Sequence, residues 1–99
     1  MDITTTLING KSLIEIPNSL DVITSPQMKK VLNEAISAAD EVELDFSKTE
    51  LVTSAGLRVL LQAQKSVQAH GKSMTMKNIS TDVMEVFDMT GVTKIFNII

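Results

Sequence analysis

Between Leu44 and Leu61 the chain changes its period, and that change constrains the fold more than any other feature. Glu41 to Phe46 alternates, with Val42, Leu44 and Phe46 on one face and Glu41, Glu43 and Asp45 on the other, as in a strand with one dry side. A short polar loop follows. From Ser54 to His70 the residues Leu57, Leu60, Leu61, Gln64 and Val67 return at helical spacing, and Gly71 supplies a C-terminal stop. A strand that feeds a helix through a short loop is half of a strand–helix–strand unit.

The rest of the chain repeats the theme. Ile3 to Ile8 and Lys11 to Ile16 are strand-like and flank Asn9-Gly10, a tight-turn pair, so the opening reads as a β-hairpin. Pro17-Asn18-Ser19 breaks the second strand, and Leu20 to Thr24 reads as a connection. Ser25-Pro26 then announces a helix, with a cap before a first-position proline, and Met28, Val31, Leu32, Ala35, Ile36 and Ala39 form its apolar stripe. Ser73 to Asn78 is a further strand with Met74 and Met76 on one face. A shorter helix starts near Ser80, carries Val83, Val86 and Phe87, and stops near Gly91; Ile95 to Ile99 closes the sheet.

Two successive strand–helix–strand units call for parallel strands with right-handed crossovers, and the hairpin makes the sheet mixed. The expected fold is therefore α/β: one domain over residues 1–99, a mixed sheet of roughly four to five strands with an N-terminal β-hairpin, and helices packed mainly on one face. The acidic row Glu41, Glu43 and Asp45 is then expected on the wet face, serving solubility and edge protection.

Composition narrows the function. A chain of 99 residues with 43% hydrophobic and 21% charged residues can bury one core and needs no staple. It has no cysteine, which removes disulfide, thiolate and cysteine-zinc chemistry. A net charge of −3 with scattered lysines gives no basic patch for direct nucleic-acid binding, and Phe46, Phe87 and Phe96 all lie in core-like patterns. Neither a membrane span nor a signal peptide is visible, so a cytoplasmic monomer is expected.

Catalytic constellations are missing. The single histidine, His70, lies at a helix end and about 24 Å from Ser54 by helical rise alone, which excludes a serine–histidine pair within one molecule. The glycines are dispersed and form no phosphate loop, and no ligand set for a metal converges. No cofactor, metal or catalytic residue is expected. Met74, Met76, Met84 and Met89 are of the type that fills cores or makes adaptable surfaces.

One local feature remains. Ser54-Ala55-Gly56 opens the second helix, where unpaired N–H groups and the helix dipole favour a hydroxyl, carboxylate or phosphate. By residue chemistry alone, Thr53 or Ser54 is an ordinary helix cap. A phosphate on Ser54 would add about −1.5 to −2 charges at that point and change what a partner meets.

The order of elements and three motifs resemble a STAS domain of the anti-sigma factor antagonist type over nearly the whole chain. The motifs are Leu20-Asp21 before the first helix, Leu44-Asp45-Phe46 leading to Thr53-Ser54-Ala55-Gly56-Leu57, and Val86-Phe87-Asp88-Met89-Thr90-Gly91-Val92 followed by Lys94-Ile95-Phe96. The resemblance implies a switch without catalysis of its own. In that family the domain binds an anti-sigma factor that is also a serine kinase of the GHKL ATPase type, and so frees a sigma factor. Phosphorylation of one serine abolishes binding, and a PP2C-type phosphatase restores it.

Carried onto this chain, the phosphorylated residue is Ser54, and the partner-binding surface comprises Asp21, Thr53, Ser54, Ala55, Gly56 and Arg58. Thr53 stands where the family has aspartate, Ala55 replaces a second hydroxyl residue, and Arg58 takes the place of a small residue. Loss of the aspartate lowers the repulsion a phosphoserine meets, and Arg58 is placed to pair with it. Two other readings stand beside this one: a STAS module of another assembly, such as a stressosome, a lipid-asymmetry transporter accessory or a detached transporter tail, and a nucleotide-binding module.

Overall fold

The computed structural model describes residues 3–99. The elements in chain order are β1 (Thr5–Ile8), β2 (Lys11–Glu15), β3 (Ser19–Leu20), α1 (Ser25–Ala38), β4 (Glu41–Asp45), β5 (Leu51–Val52), α2 (Ser54–Ala69), β6 (Ser73–Lys77), α3 (Thr81–Thr90), a 3-10 turn (Val92–Lys94) and β7 (Asn97–Ile98). The main sheet has the order β1-β2-β4-β6-β7. β1 and β2 are antiparallel and the remaining neighbours are parallel, which is the mixed α/β architecture the sequence predicts. Asn9 and Gly10 both take positive φ, 51° and 79°, which suits the two-residue hairpin turn between β1 and β2.

Strand alternation decides which side chains enter the core. Ile14 of β2, Val42 and Leu44 of β4, and Met74 and Met76 of β6 are all buried, facing Met28, Leu32 and Ile36 of α1 and Leu60 and Val67 of α2. The three phenylalanines are core residues. Phe87 meets Phe46 edge-on at 6.1 Å between ring centroids and Phe96 at 5.5 Å, joining α3 to the ends of β4 and β7. Leu61 departs from expectation: Leu57, Leu60, Ala63, Gln64 and Val67 are buried, whereas Leu61 is only half-buried at the border of the helix.

The acidic row also departs from expectation. β4 is the middle strand of five and not an edge, and Glu43 is 8% exposed. Its two carboxylate oxygens are taken by Lys11 Nζ at 3.0 Å and Lys77 Nζ at 2.9 Å, from the strands on either side. The hydrogen bond from Lys77, then that from Lys11, holds the Glu43 carboxyl below the ordinary glutamate range. Alternation identifies the face correctly, but sheet order turns its central member into a buried ionic link. Asp45 accepts from Ser47 N–H at 2.9 Å and Asn78 Nδ2 at 3.1 Å, tying the loop ends after β4 and β6 together.

A second departure positions the candidate site. Ser19–Leu20, expected as the end of the Pro17-Asn18-Ser19 break and the start of the Leu20 to Thr24 connection, is the short strand β3, which pairs in parallel with β5 as a separate two-stranded sheet. α3 also packs against β5.

Candidate functional site

The β3–β5 pair draws together two segments that are far apart in sequence. Thr53 N–H donates to the Leu20 carbonyl at 2.9 Å, continuing the pairing of Leu20 with Val52. The residues that follow, Asp21 and Ser54, thereby open adjacent turns. α2 is pressed onto this junction at Gly56, where a Cβ atom would lie 2.5 Å from the Leu20 carbonyl oxygen and 2.9 Å from Leu20 Cγ. Only glycine permits so close an approach of helix to strand. Gly56 is therefore buried at the helix start, where it sets how closely α2 sits on Leu20.

Asp21 organises the turn ahead of α1. One carboxylate oxygen accepts from Ile23 N–H at 3.0 Å and Thr24 N–H at 3.1 Å, and the other accepts from Ser19 Oγ at 2.7 Å. The Ser19 hydroxyl, then the Thr24 and Ile23 amides, hold its pKa below the ordinary aspartate range. Its carbonyl accepts from Ser25 N–H at 2.9 Å and also from the Ser25 hydroxyl. Ser25 is thus no cap. The N-cap position belongs to Thr24, whose side chain makes no capping bond, and the capping geometry lies one turn upstream at Asp21.

The start of α2 is open. Thr53 holds the N-cap position in extended conformation, φ −93° and ψ 179°, yet its side chain makes no cap bond and lies 3.5 Å from the Leu20 carbonyl, a long contact. Ser54 is the first helical residue and is exposed; the cap position falls on Thr53, one of the two residues expected there, but without the side-chain bond of an ordinary cap. No acidic residue occupies the first turn. Among the described residues, no side chain caps the first N–H groups of this 16-residue helix. Ala55 is half-buried, and Arg58 is exposed one turn beyond Ser54.

The sequence reading missed Val22 and Ile23. They lie on the turn that Asp21 fixes and are 74% and 82% exposed, large apolar side chains presented to solvent beside the site. Two β-branched residues that fit no helical stripe, between Asp21 and Thr24, were the available signal. Among the described residues, no helix is long and apolar enough to cross a membrane.

Comparison with known proteins bears on the fold and the family. The chain is 25% identical over 85 residues to the anti-sigma-B factor antagonist of Bacillus subtilis (strain 168), covering 86% of this chain and 78% of that protein. It is 26% identical over 91 residues to the anti-sigma F factor antagonist of Paenibacillus polymyxa, covering 90% and 78%. In three dimensions it is similar to the anti-sigma factor antagonist SpoIIAA in its unphosphorylated form, with a TM-score of 0.83 at 18% identity over 99% of this chain and 88% of that one. The Bacillus cell fate determinant SpoIIAA in its phosphorylated form superposes with a TM-score of 0.77 at 17% identity, over 99% and 91%. The STAS domain family model matches residues 2–99, and the chain belongs to the STAS domain family.

Proposed function

We propose that this chain is an anti-sigma factor antagonist, a binding module that acts by docking and indirectly controls transcription. Its partner in this reading is an anti-sigma factor and serine kinase of the GHKL ATPase type, met in the cytoplasm through the Asp21 turn and the first turn of α2. The kinase transfers the γ-phosphoryl group of ATP to Ser54 Oγ, with ADP leaving, and the modified protein no longer docks. A PP2C-type phosphatase hydrolyses the ester and resets the switch. The protein works as a monomer of one domain over residues 1–99.

The observation that carries this reading is the exposed Ser54 at a helix start without a side-chain cap bond, brought beside the Asp21 turn by the pairing of Leu20 with Val52 and the bond from Thr53 N–H to the Leu20 carbonyl. A phosphate there meets free N–H groups and the positive end of the helix, so the fold accepts it. Arg58, four residues on, is in position for a charge-assisted pair. Docking is affected differently, because a partner fitted to a neutral hydroxyl must now accommodate a dianion. The names of the two curated relatives, and the existence of SpoIIAA structures in both phosphorylation states, support the assignment.

Intact-mass analysis after incubation with ATP and each GHKL-type kinase of the source genome tests it. One kinase adds a single phosphate to the wild type and none to Ser54→Ala. No gain with any kinase, or a gain that persists in Ser54→Ala, overturns the proposal.

A further inference from the structure

Ser54, Leu57, Arg58, Leu61, Gln62 and Lys65 line one shallow groove of about 390 Å³ along α2. They recur at the three- and four-residue intervals of a single helix face and span about 16 Å along its axis. The floor is apolar, formed by the edge of Leu57 and by the half-buried Leu61, while Leu60, Ala63 and Val67 occupy the core side. The solvent side of α2 thus carries a groove with a partly buried apolar floor, mainly Leu61, and Ser54 at its N-terminal end.

The charges on this strip are of one sign. Arg58 and Lys65 are exposed and no acidic residue lines the groove, although the whole chain carries a net charge of −3. Lys11, Lys48 and Lys77 make ion pairs; among the described residues Arg58 and Lys65 make none, as is also true of Lys29, Lys30, Lys72 and Lys94, and what marks the groove is that two unpaired cations share it with no carboxylate. An apolar strip at helical spacing flanked by free cations is complementary to a helix with an apolar face flanked by carboxylates.

Resting on the function proposed above, we propose that this stripe of α2 seats an acidic amphipathic helix of the anti-sigma partner. Docking then extends three turns beyond Ser54. The placement also gives phosphorylation a second means of release: a dianion on Ser54 lies within one turn of Arg58, draws that guanidinium away from the partner and repels the partner's carboxylates.

Each GHKL-type anti-sigma factor of the source genome, purified, is titrated calorimetrically with the wild type, Leu61→Asp, Lys65→Glu, Ser54→Asp and Lys94→Glu. The last reverses an exposed cation on the 3-10 turn, outside the groove. Circular dichroism confirms that each variant is folded, and Lys65→Glu, at an exposed site, keeps the test independent of any loss of folding in Leu61→Asp. The expected result is that Leu61→Asp and Lys65→Glu each weaken binding by at least about tenfold, while Lys94→Glu binds as the wild type. If Leu61→Asp and Lys65→Glu retain wild-type affinity while Ser54→Asp loses it, the extended groove is refuted and the Ser54 switch survives. Equal loss in Lys94→Glu also refutes it, since the effect is then general electrostatics. If no factor binds the wild type, or Ser54→Asp binds equally well, the proposed function falls and this inference with it.

Discussion

α2 and α3 begin with the same two residue types in opposite order, Thr53-Ser54 and Ser80-Thr81, and the two helix starts are finished differently. Ser80, at φ −66° and ψ 160°, accepts from Val83 N–H at 3.2 Å, and Asp82 adds a carboxylate to the first turn. Thr53, also extended, leaves its helix open because the β3–β5 pairing holds its backbone beside Leu20 and its hydroxyl near the Leu20 carbonyl. One start uses its hydroxyl for stability. The other is held by packing at Gly56 and leaves a hydroxyl free for solvent.

The contrast is sharpest at Gly56. Gly56→Ala drives a Cβ into the Leu20 backbone and is expected to cost about 1 to 3 kcal/mol by overpacking, outweighing the helix preference of alanine. Chemical denaturation reads it; an unchanged or raised midpoint would mean that α2 is not pinned at Leu20. At α3, Ser80→Ala removes a formed cap and is expected to cost about 1 kcal/mol by the same measurement. At α2, Ser54→Ala is expected to stay within about 0.5 kcal/mol of the wild type, since no bond is lost. Equal losses at Ser80 and Ser54 would erase the distinction between the two starts.

The turn before α1 offers a third helix start, read by acid. Asp21 is held below the ordinary aspartate range in the folded protein, so the unfolded chain takes up the proton first as pH falls. The stability Asp21 contributes is complete above that range and is lost as pH drops through the lowered folded value. Thermal melts from about pH 5 to about pH 2 should show a shallower acid loss in Asp21→Asn than in the wild type. Parallel curves would remove Asp21 as the organiser of the turn.

Features set by neighbouring residues were legible in the sequence. The hairpin follows from Asn9-Gly10, and the limits of α3 follow from Ser80 and from Gly91, which takes φ 78°. Features set by contacts across the chain were not. β3 and β5 have two residues each, too few to show a period, and they exist only because they pair with each other. The burial of Glu43 depends on β4 lying between β2 and β6, which alternation alone does not reveal. Of the candidate site, Ser54 at the start of a helix was readable from Thr53-Ser54-Ala55-Gly56. The absence of a cap bond, the burial of Gly56, the exposed Val22 and Ile23 and the outward strip at Leu61 required coordinates.

The proposed switch places control of docking in one phosphate on Ser54. Its most direct test is a calorimetric titration of the cognate GHKL-type anti-sigma factor into unmodified protein and into protein carrying a single phosphate on Ser54. Phosphorylation is expected to lower the affinity at least about tenfold, about 1.4 kcal/mol or more. Equal affinity for the two forms would contradict it.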